Sequence, residues 1–432
     1  MAIKNTTTGG RTLKLLGVGA RTLGRSIIKS LPVGGDKAER SLRYWTDVGT
    51  DMVKTLGELR GAAMKLGQLA SQYSDVLPPA LAQQLKLLQR SVTPLPFTEI
   101  EPLLKEQWTA KQRKAVQHIE PVAMAAASIG QVHRATLADG AQVVVKVRYP
   151  GVREAVDADL SQLRRLISAS KLLPVDDAAM DRLMAEVRER FKEETDYAAE
   201  LAHLQHLRAT AALPSIVYAT PYPALCTDGI LVLSEEPGET LDTAATWSPE
   251  LRDAIGNTLC EWIAHSFFIA RAVHADPHPG NFAVRPDGRV VVYDMGCVKR
   301  VPLPVVESVR ALLHAAIAED WQGLHEALIA LGGVSPTASL DKVQALYADF
   351  THLTITRLLA DETFDFAAPG FIDDLRTAGR KHLLHALKFH PVSDLIFVMR
   401  ALSGLYWILR SLKSQVPVRA LMAAHGFTPA AR

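Results

Sequence analysis

Cysteine is scarce: Cys226, Cys260 and Cys297 are the three in 432 residues, far apart and never in a CxxC spacing. That excludes a disulfide framework and a zinc cluster, and a reducing compartment fits best. An excess of charge of one sign is also missing. The 48 Lys+Arg and 46 Asp+Glu leave a net +2, too little for a surface built to neutralise nucleic-acid phosphates, so no nucleic-acid partner is expected. Long apolar runs are few. The longest uncharged stretch, residues 209–227, carries Pro214, Pro221 and Pro223, which a spanning helix rarely accepts, and it reads as a loop with short strands. No transmembrane helix and no secretory signal are expected, which places the chain in the cytoplasm. Internal repeats and low-complexity segments are absent as well. With 48% hydrophobic and 22% charged residues the composition is that of globular domains, and the length suggests about two or three of them.

What is present begins with a basic N-terminal face. Lys4, Arg11, Lys14, Arg21, Arg25 and Lys29 occur with no acid in the first 35 residues, and Leu13, Leu16, Leu23 and Ile27 lie opposite the bases. Such a helix packs on its own domain, lies on an anionic membrane surface or acts as a transit peptide; packing is the favoured reading, and peripheral membrane contact stays open. Periodicity predicts a helical region to about Gln117, then a hairpin in which Gln131–Leu137 and Ala141–Val147 flank Ala138-Asp139-Gly140. Two long helical patterns follow, 152–172 and 178–209. Ile230–Ser234 reads as a strand and 249–271 as a buried helix. A second hairpin pairs Phe282–Arg285 with Val290–Asp294 around Pro286-Asp287-Gly288, and from Pro304 the pattern is helical almost to the end. This is an α+β order, not a doubly wound one.

The chemistry concentrates near that second hairpin. His274-Ala275-Asp276-Pro277-His278-Pro279-Gly280-Asn281 precedes it and Asp294-Met295-Gly296 ends it. An Asp followed five residues later by Asn, then an Asp-x-Gly after a buried strand, is the pattern phosphoryl transfer uses on kinase-like folds. Asp276 would accept or orient the nucleophile's proton. Asn281 and Asp294 would give oxygen ligands to Mg2+ on ATP or ADP. Taken alone, His274, Asp276 and His278 could also mimic a transition-metal site.

Upstream, Lys146 is the one ammonium in Val143-Val144-Val145-Lys146-Val147, where it needs an anionic partner. A strand lysine of this kind contacts the α/β-phosphates and pairs with a helix glutamate. Glu193, Glu194, Asp196 and Glu200 are available. For the first three, pairs within the helix such as Arg190 with Glu194 and Lys192 with Asp196 explain a solvated face equally well. Glu200 has no Lys or Arg at i±3 or i±4, so Lys146 is its candidate partner. Where kinases carry a glycine-rich loop, Ala125-Ala126-Ala127-Ser128-Ile129-Gly130 holds a single glycine and must grip phosphate differently. The adenine hinge is expected within Leu231–Glu236, with Glu235 among the cofactor-binding residues.

These residues resemble the UbiB/AarF family of atypical protein-kinase-like proteins, associated with ubiquinone biosynthesis and lipid homeostasis. The likeness covers roughly residues 60–300. Lys65-Leu66-Gly67-Gln68 resembles its KxGQ signature, Ala125–Val132 its alanine-rich loop, and Glu194-Thr195-Asp196 its ExD motif. The resemblance implies that Lys65 and Gln68 fold over the active site as a gate, Lys65 meeting Glu194 and Asp196. It implies a protein-kinase-like two-lobe fold: an N-terminal helical extension over 1–117, an N-lobe over 118–236 and a mostly helical C-lobe over 237–432.

Departures from ordinary protein kinases point the same way. Ala275 stands where His-Arg-Asp loops have Arg, so a phosphate-docking cation is missing and phosphorylation control is not expected. Met295 replaces Phe as an apolar filler. The favoured reading is a magnesium-dependent ATPase or phosphotransferase acting on a small molecule or lipid, with Asp276, Lys146 and Glu200 as its working residues. Two alternatives stand beside it. One is a small-molecule kinase of the aminoglycoside or choline type, whose catalytic loop is similar. The other is a nucleotide-binding pseudokinase scaffold, against which the full set Lys146, Glu200, Asp276, Asn281 and Asp294 speaks.

Overall fold

Asp139 and Gly140 make the turn from which the first sheet grows. In the computed structural model, which describes residues 94–126, 129–153, 177–382 and 392–427 together with 157, 160, 161, 164, 389 and 390, Gly140 takes φ +86°. Asp139 Oδ1 accepts from Ala141 N at 3.0 Å, locking the turn. The expected hairpin results. Two helices, α1 (Phe97–Gln107) and α2 (Ala110–Ala115), precede a sheet of β1 (Val116–Ile119), β2 (Ala125–Ala126), β3 (Gly130–Leu137), β4 (Gln142–Arg148) and β6 (Ile230–Ser234). Its order is β1-β3-β4-β6, with β2 also on β3, antiparallel at every pairing.

Alternation divides β4 between two faces. Val143, Val145 and Val147 are fully buried and join Ile100, Leu104, Trp108, Ile230 and Val232 in one core, each such side chain stabilising by roughly 1.5–3 kcal/mol. Lys146 therefore projects from the opposite face. The helical region predicted to reach Gln117 ends sooner, at Ala115, and Val116–Ile119 is a strand. Its partners lie about twenty residues on, Val116 opposite Leu137 and Ile119 opposite Ala135, so local periodicity does not reveal it. The helix predicted over 178–209 is two, α3 (Asp177–Thr195) and α4 (Tyr197–Thr210). Asp196 between them accepts from Ala199 N at 2.9 Å, capping α4.

The chain divides into two compact units, the first reaching residue 199 and including 222–235, the second formed by 200–221 and 236–432. In the second, β5 (Ile216–Tyr218) runs parallel to β9 (Val290–Val292), which pairs antiparallel with β8 (Phe282–Val284). Gly288, at φ +83°, turns this hairpin as expected. After α5 (Leu241–Ala244), helix α6 (Pro249–Phe268) buries Ile255, Leu259, Trp262 and Phe267. It stops short of residue 271 because Arg271 adopts φ +51° and turns the chain into β7 (Ala272–His274), which pairs with β10 (Val298–Arg300). The rest is largely helical, as predicted: α7 (Leu303–Ala318), α8 (Trp321–Ala330), α9 (Gln344–Thr351), α10 (Phe371–Lys381), α11 (Ser393–Leu412) and α12 (Val418–Ala424). A two-stranded ribbon of β11 (Phe364–Asp365) and β12 (Gln415–Val416) interrupts them.

Among the described residues, Asp394–Leu412 is the one helix long and apolar enough to cross a membrane by length and composition, at a mean hydropathy of 1.4. A search for uncharged runs overlooks it because Arg400 and Arg410 lie inside. It packs on α6 and β7 within its own unit, with Ile396, Met399, Leu402 and Trp407 exposed.

Candidate active site

Three short segments of the second unit converge through main-chain hydrogen bonds. The loop after β7 carries Asp276, the 3-10 turn Pro279–Asn281 carries Asn281, and the chain after β9 carries Asp294. Asn281 Nδ2 donates to Asp276 O at 2.8 Å, so the two sequence-predicted residues are directly joined. His274, fully buried between Trp262 and Phe282, links the third segment. Its Nε2 lies 2.6 Å from Asp294 O, and since a carbonyl only accepts, Nε2 carries the proton. Nδ1 then accepts from Asp276 N at 3.4 Å. One imidazole thus spans the main chains of both aspartates.

Asp294 is shaped further by its own turn, with Oδ1 accepting from Gly296 N at 2.7 Å. On α4, His203 Nδ1 donates to Met295 O at 3.1 Å. Glu200, one turn earlier, is 2% exposed, and a methyl placed on Gly296 would come within 3.9 Å of its Oε2 and 3.1 Å of Asp294 Oδ1. Helix α4 therefore grips the Asp294 turn from one side. Met295 is buried at 1% exposure, as an apolar filler should be.

Asp276 also has a partner that the sequence reading missed. Arg400 Nη2, from α11, lies 2.8 Å from Asp276 Oδ1. The available signal was Arg400 itself, the one charge between Leu395 and Leu409. His274 and His278 do not form a transition-metal site. Both His274 nitrogens are committed to main chain, His278 Nδ1 accepts from Gly280 N at 3.1 Å, and no three His, Cys, Asp or Glu side chains converge among the described residues. The oxygen donors of Asn281 and Asp294 suit a hard cation such as Mg2+, and Asn281 spends its amide nitrogen, not its oxygen, on Asp276.

In the first unit, Lys146 Nζ sits 5.0 Å from the centroid of the Tyr197 ring, a cation–π contact worth about 0.5–2 kcal/mol. Lys146 pairs in register with Val132 and Leu231. Ala125 and Ala126 form β2 against Val132 and Gln131, while Ala127 and Ser128 lie outside the described residues. Gly130 has a packing reason to be glycine: a Cβ there would stand 2.4 Å from Val147 O and 2.8 Å from Tyr197 Oη. Asp196 serves as the cap of α4, and Lys192 bonds Glu189 at 2.9 Å. Glu194 is half-buried at the end of α3. Lys65 and Gln68 lie outside the described residues, so the gate expected from them is not seen.

Glu235 is the last residue of the first unit. Its N–H bonds Gln142 O at 3.1 Å and its carboxylate bonds Arg134 Nε at 2.7 Å, a bond that raises the Arg134 pKa. The main-chain N–H of Glu235 is therefore already committed within the first unit, while its second carboxylate oxygen is not used by the Arg134 bond. In the second unit Glu236 pairs with Arg285 at 2.7 Å, and its carbonyl accepts from Tyr293 Oη at 2.9 Å.

A model of the ABC1 atypical kinase-like domain matches residues 87–328. The chain belongs to the ABC1 atypical kinase-like family. The match contains Lys146, Glu200, Asp276, Asn281 and Asp294, and begins after Lys65 and Gln68. The ABC1 chain is 29% identical over 371 residues to the mitochondrial atypical kinase COQ8 of Saccharomyces cerevisiae, covering 83% of this chain and 72% of that protein. It is 26% identical to the mitochondrial atypical kinase coq-8 of Caenorhabditis elegans, over 94% of this chain and 53% of the relative, so it spans about half the length of the nematode protein. Among solved structures, that of the Rv3197–erythromycin complex from Mycobacterium tuberculosis superposes with a TM-score of 0.59 at 25% identity, covering 90% of this chain and 97% of the other. These likenesses make the α+β architecture protein-kinase-like and place COQ8 proteins among the relatives of the chain.

Proposed function

We propose that this ABC1 protein binds Mg-ATP and either hydrolyses it or transfers its phosphoryl group to a small apolar or lipid acceptor, in quinone or lipid metabolism. The observation that carries this reading is that His274 joins the main chains of Asp276 and Asp294 while the Asn281 amide bonds Asp276 O. Asp276 accepts the proton of the attacking hydroxyl or water as the new O–P bond forms and the bond to the ADP oxygen breaks. Asn281 and Asp294 are the residues that would hold magnesium, which when bound neutralises phosphate charge. Lys146 is assigned to the α/β-phosphates, and Glu200 is its orienting acid on the sequence pattern alone. The alanine-rich segment from Ala125 to Gly130 is assigned to the phosphates and Lys65 with Gln68 to gating. Both assignments rest on the resemblance. The placement in quinone or lipid metabolism rests on the resemblance, and the basic N-terminal face supports peripheral contact with an anionic membrane.

The test is ATP binding by calorimetry with and without Mg2+, beside turnover with and without anionic liposomes. The expected result is tight binding that needs magnesium, weakened in Asp294→Asn and Asn281→Ala, and turnover raised by lipid. Magnesium-independent binding that both variants retain would refute the assignment. Tight magnesium-dependent binding with no turnover under either condition would favour the scaffold.

A further inference from the structure

The loop that carries Asp276 has lost its own arginine, since Ala275 occupies that position. A guanidinium reaches the aspartate all the same, from a helix 124 residues further along the chain. We infer that Arg400 is the positioning residue for Asp276, holding Oδ1 so that Oδ2 is the oxygen that takes the nucleophile's proton. The inference rests on the phosphoryl-transfer reading of Asp276.

Three observations support it. First, Arg400 is costly where it stands. Its side chain is 20% exposed, and its Nη1 is buried without a hydrogen-bond partner among the described residues. A partly exposed ion pair is a weak stabilising device, and the donor left unpaired at Nη1 carries a desolvation cost that such a pair does not recover. Stability alone gives no reason for a cation here. Second, the contact is one-pronged. Nη2 meets a single carboxylate oxygen, and Asp276 is half-buried at 34% exposure, so the second oxygen is not consumed by a fork-to-fork bridge. With Asn281 on its main-chain oxygen and His274 at its main-chain nitrogen, Asp276 is fixed at three points.

Third, α11 is shaped to deliver the guanidinium. Gly404, one turn after Arg400, faces Pro277, where a Cβ would stand 2.3 Å from Cγ and 3.0 Å from the carbonyl oxygen. A glycine lets the helix approach the residue that follows Asp276. One turn before Arg400, Phe397 receives Lys299 Nζ of β10 over its ring at 4.9 Å. Phe397, Arg400 and Gly404 thus form one helix face directed at the catalytic segment and β10. Arg410 lies on the same helix and bonds Tyr406 Oη at 3.3 Å, away from Asp276.

The test is steady-state Mg-ATP turnover and nucleotide affinity of the full chain for wild type, Arg400→Met, Arg400→Lys, Asp276→Asn, the Arg400→Met/Asp276→Asn double variant and the control Arg410→Met. A carboxylate misplaced by about 1 Å loses about 10²-fold in rate, so Arg400→Met is expected to lower kcat by about that factor while KM for ATP moves less than about twofold. Arg400→Lys should recover part of kcat. Arg400→Met should cost nothing further in the Asp276→Asn background, and Arg410→Met should match wild type. Unchanged kcat in Arg400→Met, loss of nucleotide affinity in parallel with kcat, or full additivity in the double variant would each overturn the inference. If Arg400→Met does not fold, Arg400→Lys carries the same decision through its split between kcat and KM. Equal turnover in wild type and Asp276→Asn would instead overturn the underlying reading of Asp276.

Discussion

Replacing Gly404 by alanine separates helix propensity from helix seating. In an open helical position glycine to alanine stabilises by about 1 kcal/mol. At Gly404 the added methyl would stand 2.3 Å from Pro277 Cγ and 3.0 Å from Pro277 O, a ring and a backbone atom that cannot swing aside. Either α11 or the loop must give by about 1 Å before the contact is ordinary, and overpacking of this kind costs about 1–3 kcal/mol. With two rigid obstacles the upper end applies, leaving Gly404→Ala about 1–2 kcal/mol less stable after the propensity gain. Gly379 in α10 is the internal control, since a methyl there meets nothing within 4 Å. Gly379→Ala should stabilise by about 0.5–1 kcal/mol. Urea unfolding of both variants beside wild type measures the pair, and ATP turnover reads whether Asp276 moved. A Gly404→Ala protein as stable as Gly379→Ala, with wild-type turnover, would refute the claim that α11 seats on the loop that carries Asp276.

Tyr218→Phe should cost about 1–3 kcal/mol in urea unfolding, because it strips the buried Trp262 indole N–H of the acceptor it reaches at 2.6 Å. Arg148 holds the Asp228 carboxyl below its usual pKa, chiefly by hydrogen bonding. The stability gap between wild type and Asp228→Asn should therefore be full above about pH 4 and shrink as pH falls through the depressed folded value, and a gap that widens toward acid would contradict the sign. Burial pushes the Cys260 thiol up to about 12. Cys260 is partly buried, so iodoacetamide at pH 8 should label it much more slowly in the native than in the unfolded chain by mass spectrometry, whereas equal rates would contradict the raised thiol pKa.

Local signals were legible and distant ones were not. Asp139-Gly140 and Asp287-Gly288 announce their hairpins because a tight turn is decided by adjacent residues. Val116–Ile119 reads as a helix tail since what makes it a strand is β3. Asp196 looks like one more acid on a long helix until the capped break is seen. At the site, spacing alone singled out Asp276, Asn281 and Asp294 as candidates because they lie close in sequence, and the structure joins the segments that carry them. The grip of α4 through His203 and Glu200, and that of α11 through Arg400, are products of packing. Arg400 left a trace, a lone charge in an apolar run, but its partner could not be read from periodicity. Gly130 shows the opposite risk: a residue placed in a phosphate loop by motif has a steric reason of its own in the approach of β4 and Tyr197.

The central claim is that Asp276 performs proton transfer in a magnesium-dependent phosphoryl transfer from ATP. Phosphate release from Mg-ATP by purified wild type and Asp276→Asn, with circular dichroism to confirm that both are folded, tests it most directly. The account predicts turnover in wild type and loss of at least about 10²-fold in the variant, with its unfolding midpoint nearly unchanged. Equal turnover by the two folded proteins would contradict it.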